Sequence, residues 1–147
     1  MRKSIVGLVA VAAFIVGIAL LEGVGQGATR PQSTCPVTGQ AIDPRTSPHV
    51  DWQGQRIYFA SAAAADQFRS DPEVVFAKLE ADHVRLENIE ANCPVSGEAL
   101  AGAAGAGPVI SYKGRTIRFC CPDCPPKFEV NPARYLDKLP GEQVASR

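Results

Sequence analysis

The chain has 147 residues with 15 basic and 15 acidic side chains, enough for one compact domain or two very small ones with no net charge. Setting aside the first 27 residues leaves 13 basic against 14 acidic side chains, which excludes the electropositive footprint that nucleic-acid binding needs. There is also no Ser-His-Asp arrangement, phosphate loop or hydrolase-like pair of carboxylates, so nothing in the sequence asks for an enzyme.

In chain order, Arg2 and Lys3 precede an uncharged apolar run from Ser4 to Leu21, and Glu22 and a Gly-rich stretch follow it. Residues 1–27 therefore read as an N-terminal hydrophobic helix, either a cleaved export signal or a retained membrane anchor. In both cases the basic flank predicts that the remainder is exported, to a periplasmic or other extracytoplasmic space. Residues 28–34 read as a tether. The residues before Cys35 are polar, which excludes a lipoprotein signal.

Beyond the tether the chain repeats itself. Cys35-Pro36-Val37-Thr38-Gly39 recurs as Cys93-Pro94-Val95-Ser96-Gly97. An offset of sixty residues then pairs Gly54 with Gly114, Phe59 with Phe119, Phe68 with Phe128, and Asp71-Pro72 with Asn131-Pro132. Residues 35–80 and 93–139 are thus two copies of one small α+β module, joined by a linker at 81–92 and followed by a tail at 140–147. Each copy predicts a knuckle, a hairpin turning at Gly54 or Gly114, and two short helices. The hairpin strands are expected at His49–Trp52 with Arg56–Ala60, and at Val109–Tyr112 with Thr116–Cys120. Ser61 and Asp71 are good N-caps, and Pro72 suits a first helical turn. Val75, Phe76 and Leu79 would form a buried face, as would Tyr135, Leu136 and Leu139. Trp52, Tyr58, Tyr112 and the phenylalanines at 59, 68, 119 and 128 read as core. Residues 80–92 either extend the second helix or break after Ala81, and Ala101 to Gly107 reads as a loop.

Modules of this size bury little apolar surface and usually need a metal, a disulfide or a partner. The second copy carries the sulfur for it. Phe119-Cys120-Cys121-Pro122-Asp123-Cys124 holds three of the five cysteines, where the first copy has Ala60, Ser61 and Ala64. Cys120 is expected to close a strand and Cys124 to sit in the first turn of a helix, where unpaired N–H groups favour thiolates. Together with Cys93 these cysteines are candidate metal ligands. Three thiolates favour a soft ion, Zn(II) or Cu(I), with the fourth position taken by Cys121, water or a partner's donor. Cys121 also reads as a helix cap in the place of Ser61, Asp123 as a first-turn partner of the helix dipole, and His49 and His83 as surface residues. Cys35 is open between a buried small residue, a free thiol and a partner for Cys93.

The second copy resembles the YHS/TRASH group of small metal-binding modules, relatives of treble-clef zinc fingers. The resemblance rests on Cys93 to Gly97, Tyr112 with Gly114, Phe119-Cys120, Cys124, Phe128, Asn131-Pro132 and Tyr135-Leu136; the first copy shares it more thinly. In the usual pattern the knuckle cysteine directly precedes the glycine, where this chain has Ser96. The resemblance implies a treble-clef-like fold, the ligands Cys93, Cys120 and Cys124, and metal binding, trafficking or sensing, with a metal transporter or another envelope protein as partner. The alternatives are a protein-interaction module stabilised by a structural disulfide, with Cys120 or Cys121 joined to Cys93 or Cys124, and a thiol redox protein.

Overall fold

A computed structural model describes residues 29–100 and 107–143. The hydrophobic segment at 1–27, residues 101–106 of the Gly/Ala loop and the last four residues of the tail lie outside the described residues. Among the described residues no helix is long and apolar enough to cross a membrane.

The described residues form an α+β fold, with four helices and small sheets. Two-residue strands β1 (Arg30–Pro31) and β4 (Val84–Arg85) pair in parallel. The hairpin strands β2 (His49–Trp52) and β3 (Gln55–Tyr58) are antiparallel, and β5 (Glu87–Asn88) adds to the free edge of β3. The second hairpin consists of β6 (Val109–Tyr112) and β7 (Arg115–Arg118). Helices α1 (Ala62–Ser70) and α2 (Pro72–Ala81) follow the first hairpin, and α3 (Cys124–Val130) and α4 (Pro132–Leu136) follow the second.

The repeat is repeated in the backbone. Both hairpins turn through two residues at positive φ, Gln53-Gly54 at 42° and 82° and Lys113-Gly114 at 47° and 75°. This is the turn whose twist matches that of antiparallel strands. It brings Gln55 and Arg115 into the ladder, so β3 and β7 start one residue earlier than expected and end at Tyr58 and Arg118. Phe59 and Phe119 then leave the ladder and donate instead to Pro48 O and Pro108 O, at 2.8 and 2.9 Å. Cys120 consequently stands two residues past its strand.

Ser61 Oγ caps α1 at Ala64 N, and Asp71 and Asn131 cap α2 and α4. Helix α2 ends at Ala81, where Asp82 N bonds Lys78 O and His83 adopts φ 53°, so the linker breaks from the helix and supplies β4 and β5.

Two apolar clusters result. The first gathers Val50, Trp52, Ile57, Phe59, Phe68, Val75, Phe76 and Leu79 with Cys35 and Leu86; the second gathers Ile117, Phe119, Phe128 and Leu139 with Cys93 and Cys124. Phe68 and Phe128, sixty positions apart, are the hubs: Phe68 meets Trp52, Phe59 and Phe76, and Phe128 meets Tyr112, Phe119 and Tyr135. The second cluster is the poorer one. Tyr135 and Leu136 are only half-buried because α4 makes a single turn, and Tyr112 is half-buried too. Tyr58 is half-buried as well, its hydroxyl reaching Glu87 Oε2 at 2.7 Å.

The copies meet along β7. One edge of β7 pairs with β6, and the other is met by side chains from the first copy and the linker. Gln55 Nε2 and Asn88 Nδ2 donate to Thr116 O at 2.8 and 2.7 Å, Thr116 N donates to Gln55 Oε1, and Arg118 N donates to Glu90 Oε2 at 2.9 Å. Arg115, 1% exposed, crosses in the other direction: it pairs with Glu73 and lies 3.8 Å over the Phe76 ring. Neither hairpin turn tolerates a side chain at its glycine, since a Cβ on Gly114 would lie 2.5 Å from Phe76 O and one on Gly54 2.9 Å from Glu90 Oε1.

Two stability predictions follow from this junction. Arg115→Ala removes a fully buried stem together with its ion pair and ring contact, and is expected to lower urea-unfolding stability by about 3 kcal/mol, with Arg115→Met losing about half as much. Burial pushes the Glu90 carboxyl up to about 7, against the opposing Arg118 N–H and the Asn88 amide. With its folded pKa raised, the folded chain holds a proton that the unfolded chain has lost, so this contribution to stability is full at acid pH and is lost as pH rises through about 7. Urea midpoints from about pH 5 to about pH 8 should fall by the equivalent of up to about 3 kcal/mol for this group, and Glu90→Gln should flatten that slope.

Candidate metal centre

Two stretches deliver the sulfur atoms, the knuckle at Cys93 and the turn from Cys120 to Cys124 at the head of α3. Cys93 opens the second knuckle, a tight loop in which Cys93 N donates to Glu98 O and Gly97 N to Cys93 O, both at 2.8 Å. Gly97 turns the chain at φ 80°, in the left-handed region that glycine adopts freely. Cys120 follows Phe119, which is anchored in the core. Cys124 heads α3, whose first turn tolerates Pro125 because N–H groups there have no helical partner.

These elements bring Cys93, Cys120 and Cys124 together, with all three Sγ atoms within 4.8 Å of one another, so they can hold a metal ion. The Cys120 and Cys124 sulfurs are 3.8 Å apart. Tetrahedral bonds of about 2.3 Å to a shared zinc put two sulfurs about 3.8 Å apart, so this pair fits one ion without rearrangement. Cys93 and Cys124 are 1% and 2% exposed, whereas Cys120 is half-buried.

The electrostatics favour a thiolate on Cys93. Burial alone would raise its pKa, but N–H groups of Ser96, Cys120 and Val95 and the Ser96 hydroxyl outweigh it and bring the thiol down to about 6. Ser96 Oγ also lies 3.1 Å from Cys120 Sγ, so the serine at the resemblance's cysteine position touches the cluster. At Cys120 that hydroxyl pulls the pKa down, but Glu98, burial and Cys93 together push it up. Burial and the other three sulfurs push Cys124 up. Crowding therefore opposes a second and third thiolate, which is the charge a bound cation would neutralise.

Cys121 stands apart. It does not cap α3: Asp123 occupies the N-cap with no side-chain bond, and the helix starts two residues later than α1. The thiol is a poor acceptor where Ser61 offers a hydroxyl oxygen. Cys121 Sγ instead lies 3.2 Å from Cys124 Sγ, outside the three-sulfur group. A shared zinc at that separation would need an S–Zn–S angle of about 90°, far from tetrahedral. Cys121-Pro122-Asp123-Cys124 is a C-x-x-C spacing, a signal that reading Cys121 as a cap conceals.

The first knuckle has the same form without the sulfurs. Cys35 N donates to Gln40 O and Gly39 N to Cys35 O, both at 2.8 Å. Thr38, Ala60 and Val37 cradle the Cys35 sulfur and lower its pKa against burial, but Ala60 and Ala64 stand where the second copy has Cys120 and Cys124. Cys35 belongs to the first cluster and Cys93 to the second, both as free thiols. His49 and His83 are exposed and belong to no sulfur group: His49 lies beside Tyr58 with the rings tilted at 58°, and His83 occupies the turn after α2.

No protein-family model, curated protein or solved structure matches the chain.

Exposure divides the five thiols. In the reduced, metal-free chain a bulky alkylating reagent is expected to modify Cys121 quickly, Cys120 more slowly because its pKa is raised, and Cys35, Cys93 and Cys124 only on unfolding. Peptide mass spectrometry on a time course checks this; fast labelling of Cys93 would remove it from the buried cluster.

Proposed function

We propose that the chain is a metal-binding protein built from two treble-clef-like modules of the YHS/TRASH type. In this reading Cys93, Cys120 and Cys124 of the second copy hold one thiophilic ion, Zn(II) or Cu(I). The observation that carries it is the convergence of three sulfurs from two separate stretches, the knuckle at Cys93 and the turn from Cys120 to Cys124, with N–H donors gathered around Cys93. A similar cradle surrounds Cys35, so it is the grouping of three sulfurs, which the first knuckle lacks, that supports the metal reading.

The first copy is then a scaffold that has given up its own site. Its Ala60 and Ala64 cannot ligate, yet its Gln55 and the linker's Asn88 and Glu90 hold the strand that leads to Cys120. A three-sulfur site leaves a fourth position for water or for a partner's donor, which suits metal transfer or sensing. The apolar segment at 1–27 supports export or membrane tethering, with an envelope protein such as a metal transporter as the partner.

Anaerobic purification followed by metal analysis should find one zinc or copper per chain. Cys93→Ser, Cys120→Ser and Cys124→Ser should each lower affinity by at least about tenfold, while Cys35→Ser keeps it. A chain with no metal and with no thiols released by a chelator would instead be an interaction module held by a disulfide.

A further inference from the structure

The three-ligand reading leaves one sulfur of the cluster without a task. Cys121 lies outside the group of three, yet its Sγ is 3.2 Å from Cys124 Sγ, closer than Cys120 comes at 3.8 Å. The four-residue turn is already closed, with Cys124 N donating to Cys121 O at 3.3 Å. The two sulfurs differ in access: Cys121 is half-buried and can be reached from solvent, whereas Cys124 is 2% exposed and is shielded from a bulky reagent. Cys120 is a poor alternative partner for Cys121, since a disulfide between adjacent residues is strained. The first copy has Ser61 and Ala64 at the corresponding positions, so this dithiol and the sulfur triad arise in the same copy.

We propose that Cys121 and Cys124 are a reversible dithiol pair, and that thiol–disulfide exchange with an incoming small-molecule or protein disulfide oxidises it and expels the ion. The inference rests on the metal-site reading above, because expulsion follows only if Cys124 is a ligand. In the first step the Cys121 sulfur attacks one sulfur of the incoming disulfide. A mixed disulfide forms, the incoming S–S bond breaks, and the leaving thiolate takes up the proton given by Cys121. In the second step the Cys124 thiolate leaves the ion and attacks the Cys121 sulfur. The Cys121–Cys124 bond forms and the second thiolate departs. Two electrons pass from the pair to the incoming disulfide, and the ion leaves with its charge unchanged. Cys93 and Cys120 then remain as two donors, too few for tight binding. Reduction restores the site.

The test uses the full chain, reduced, loaded with zinc and mixed with glutathione disulfide, with released zinc read by a chromophoric chelator and disulfides mapped by mass spectrometry after alkylation. Wild type is expected to release zinc as Cys121 and Cys124 become protected from alkylation, and a thiol reductant should reverse both. Cys121→Ser, which places the first copy's residue at that position, should still bind zinc but release it at least about tenfold more slowly. Release from Cys121→Ser at the wild-type rate, or a disulfide mapped to another pair, overturns the proposal. If the reduced chain takes up neither zinc nor Cu(I), the metal-site reading fails and expulsion fails with it. The mapping still decides the dithiol separately: a Cys121–Cys124 bond upholds that part, and its absence removes it.

Discussion

The outer edge of β7 is the constraint on which the sulfur cluster depends. In a two-stranded hairpin each strand leaves one row of backbone groups unpaired, and burying such a row without partners costs about 1–3 kcal/mol per group. Here Gln55, Asn88 and Glu90 supply those partners at Thr116 and Arg118. The amide of Gln55 both donates and accepts at Thr116, as a neighbouring strand's peptide would. Gln32 does the same for the first copy, pairing with Tyr58 N and O at the edge of β3. Two residues beyond Arg118 the chain reaches Cys120, so the position of one sulfur is set by side chains of the linker and of a copy that has Ala60 at the matching position.

Duplication explains how this arrangement divides the work. Both copies keep the knuckle, the two-residue turn and an aromatic hub at Phe68 or Phe128, because each secures a small core. They differ where chemistry and packing compete. The first copy has the larger apolar cluster and no sulfur beyond Cys35, while the second has the smaller cluster and four cysteines. Arg115 fits the same division. Sixty residues from Gln55, it shares that residue's full burial but uses it to fasten α2 through Glu73 and Phe76.

Cys124 is where the two proposed chemistries meet. It is buried among Cys93, Cys120 and Cys121, and every neighbouring sulfur makes its ionisation harder. Such a thiol is relieved either by a cation or by a disulfide, and one sulfur cannot accept both at once. Exclusivity of this kind makes metal occupancy responsive to thiol–disulfide balance with no moving domain.

Much of the site was legible from residues alone. An internal repeat exposes itself by spacing, and comparing copies isolates Cys120, Cys121 and Cys124, which stand against Ala60, Ser61 and Ala64, while Cys93 is shared with Cys35 and enters through the knuckle. Local rules also located both helix starts at Ser61 and Asp71, since caps act within one turn. What only the tertiary structure decided is how the copies face one another and which sulfurs are close. Gln55, Asn88, Glu90 and Arg115 look like ordinary surface residues in sequence, and nothing local says that the first three are needed at a strand edge of the second copy or that Arg115 reaches a helix of the first. Cys121 was misread for the same reason. Its alignment with Ser61 suggested a cap, but the start of α3 depends on how that turn packs, and only the fold set its sulfur beside Cys124 and outside the group of three.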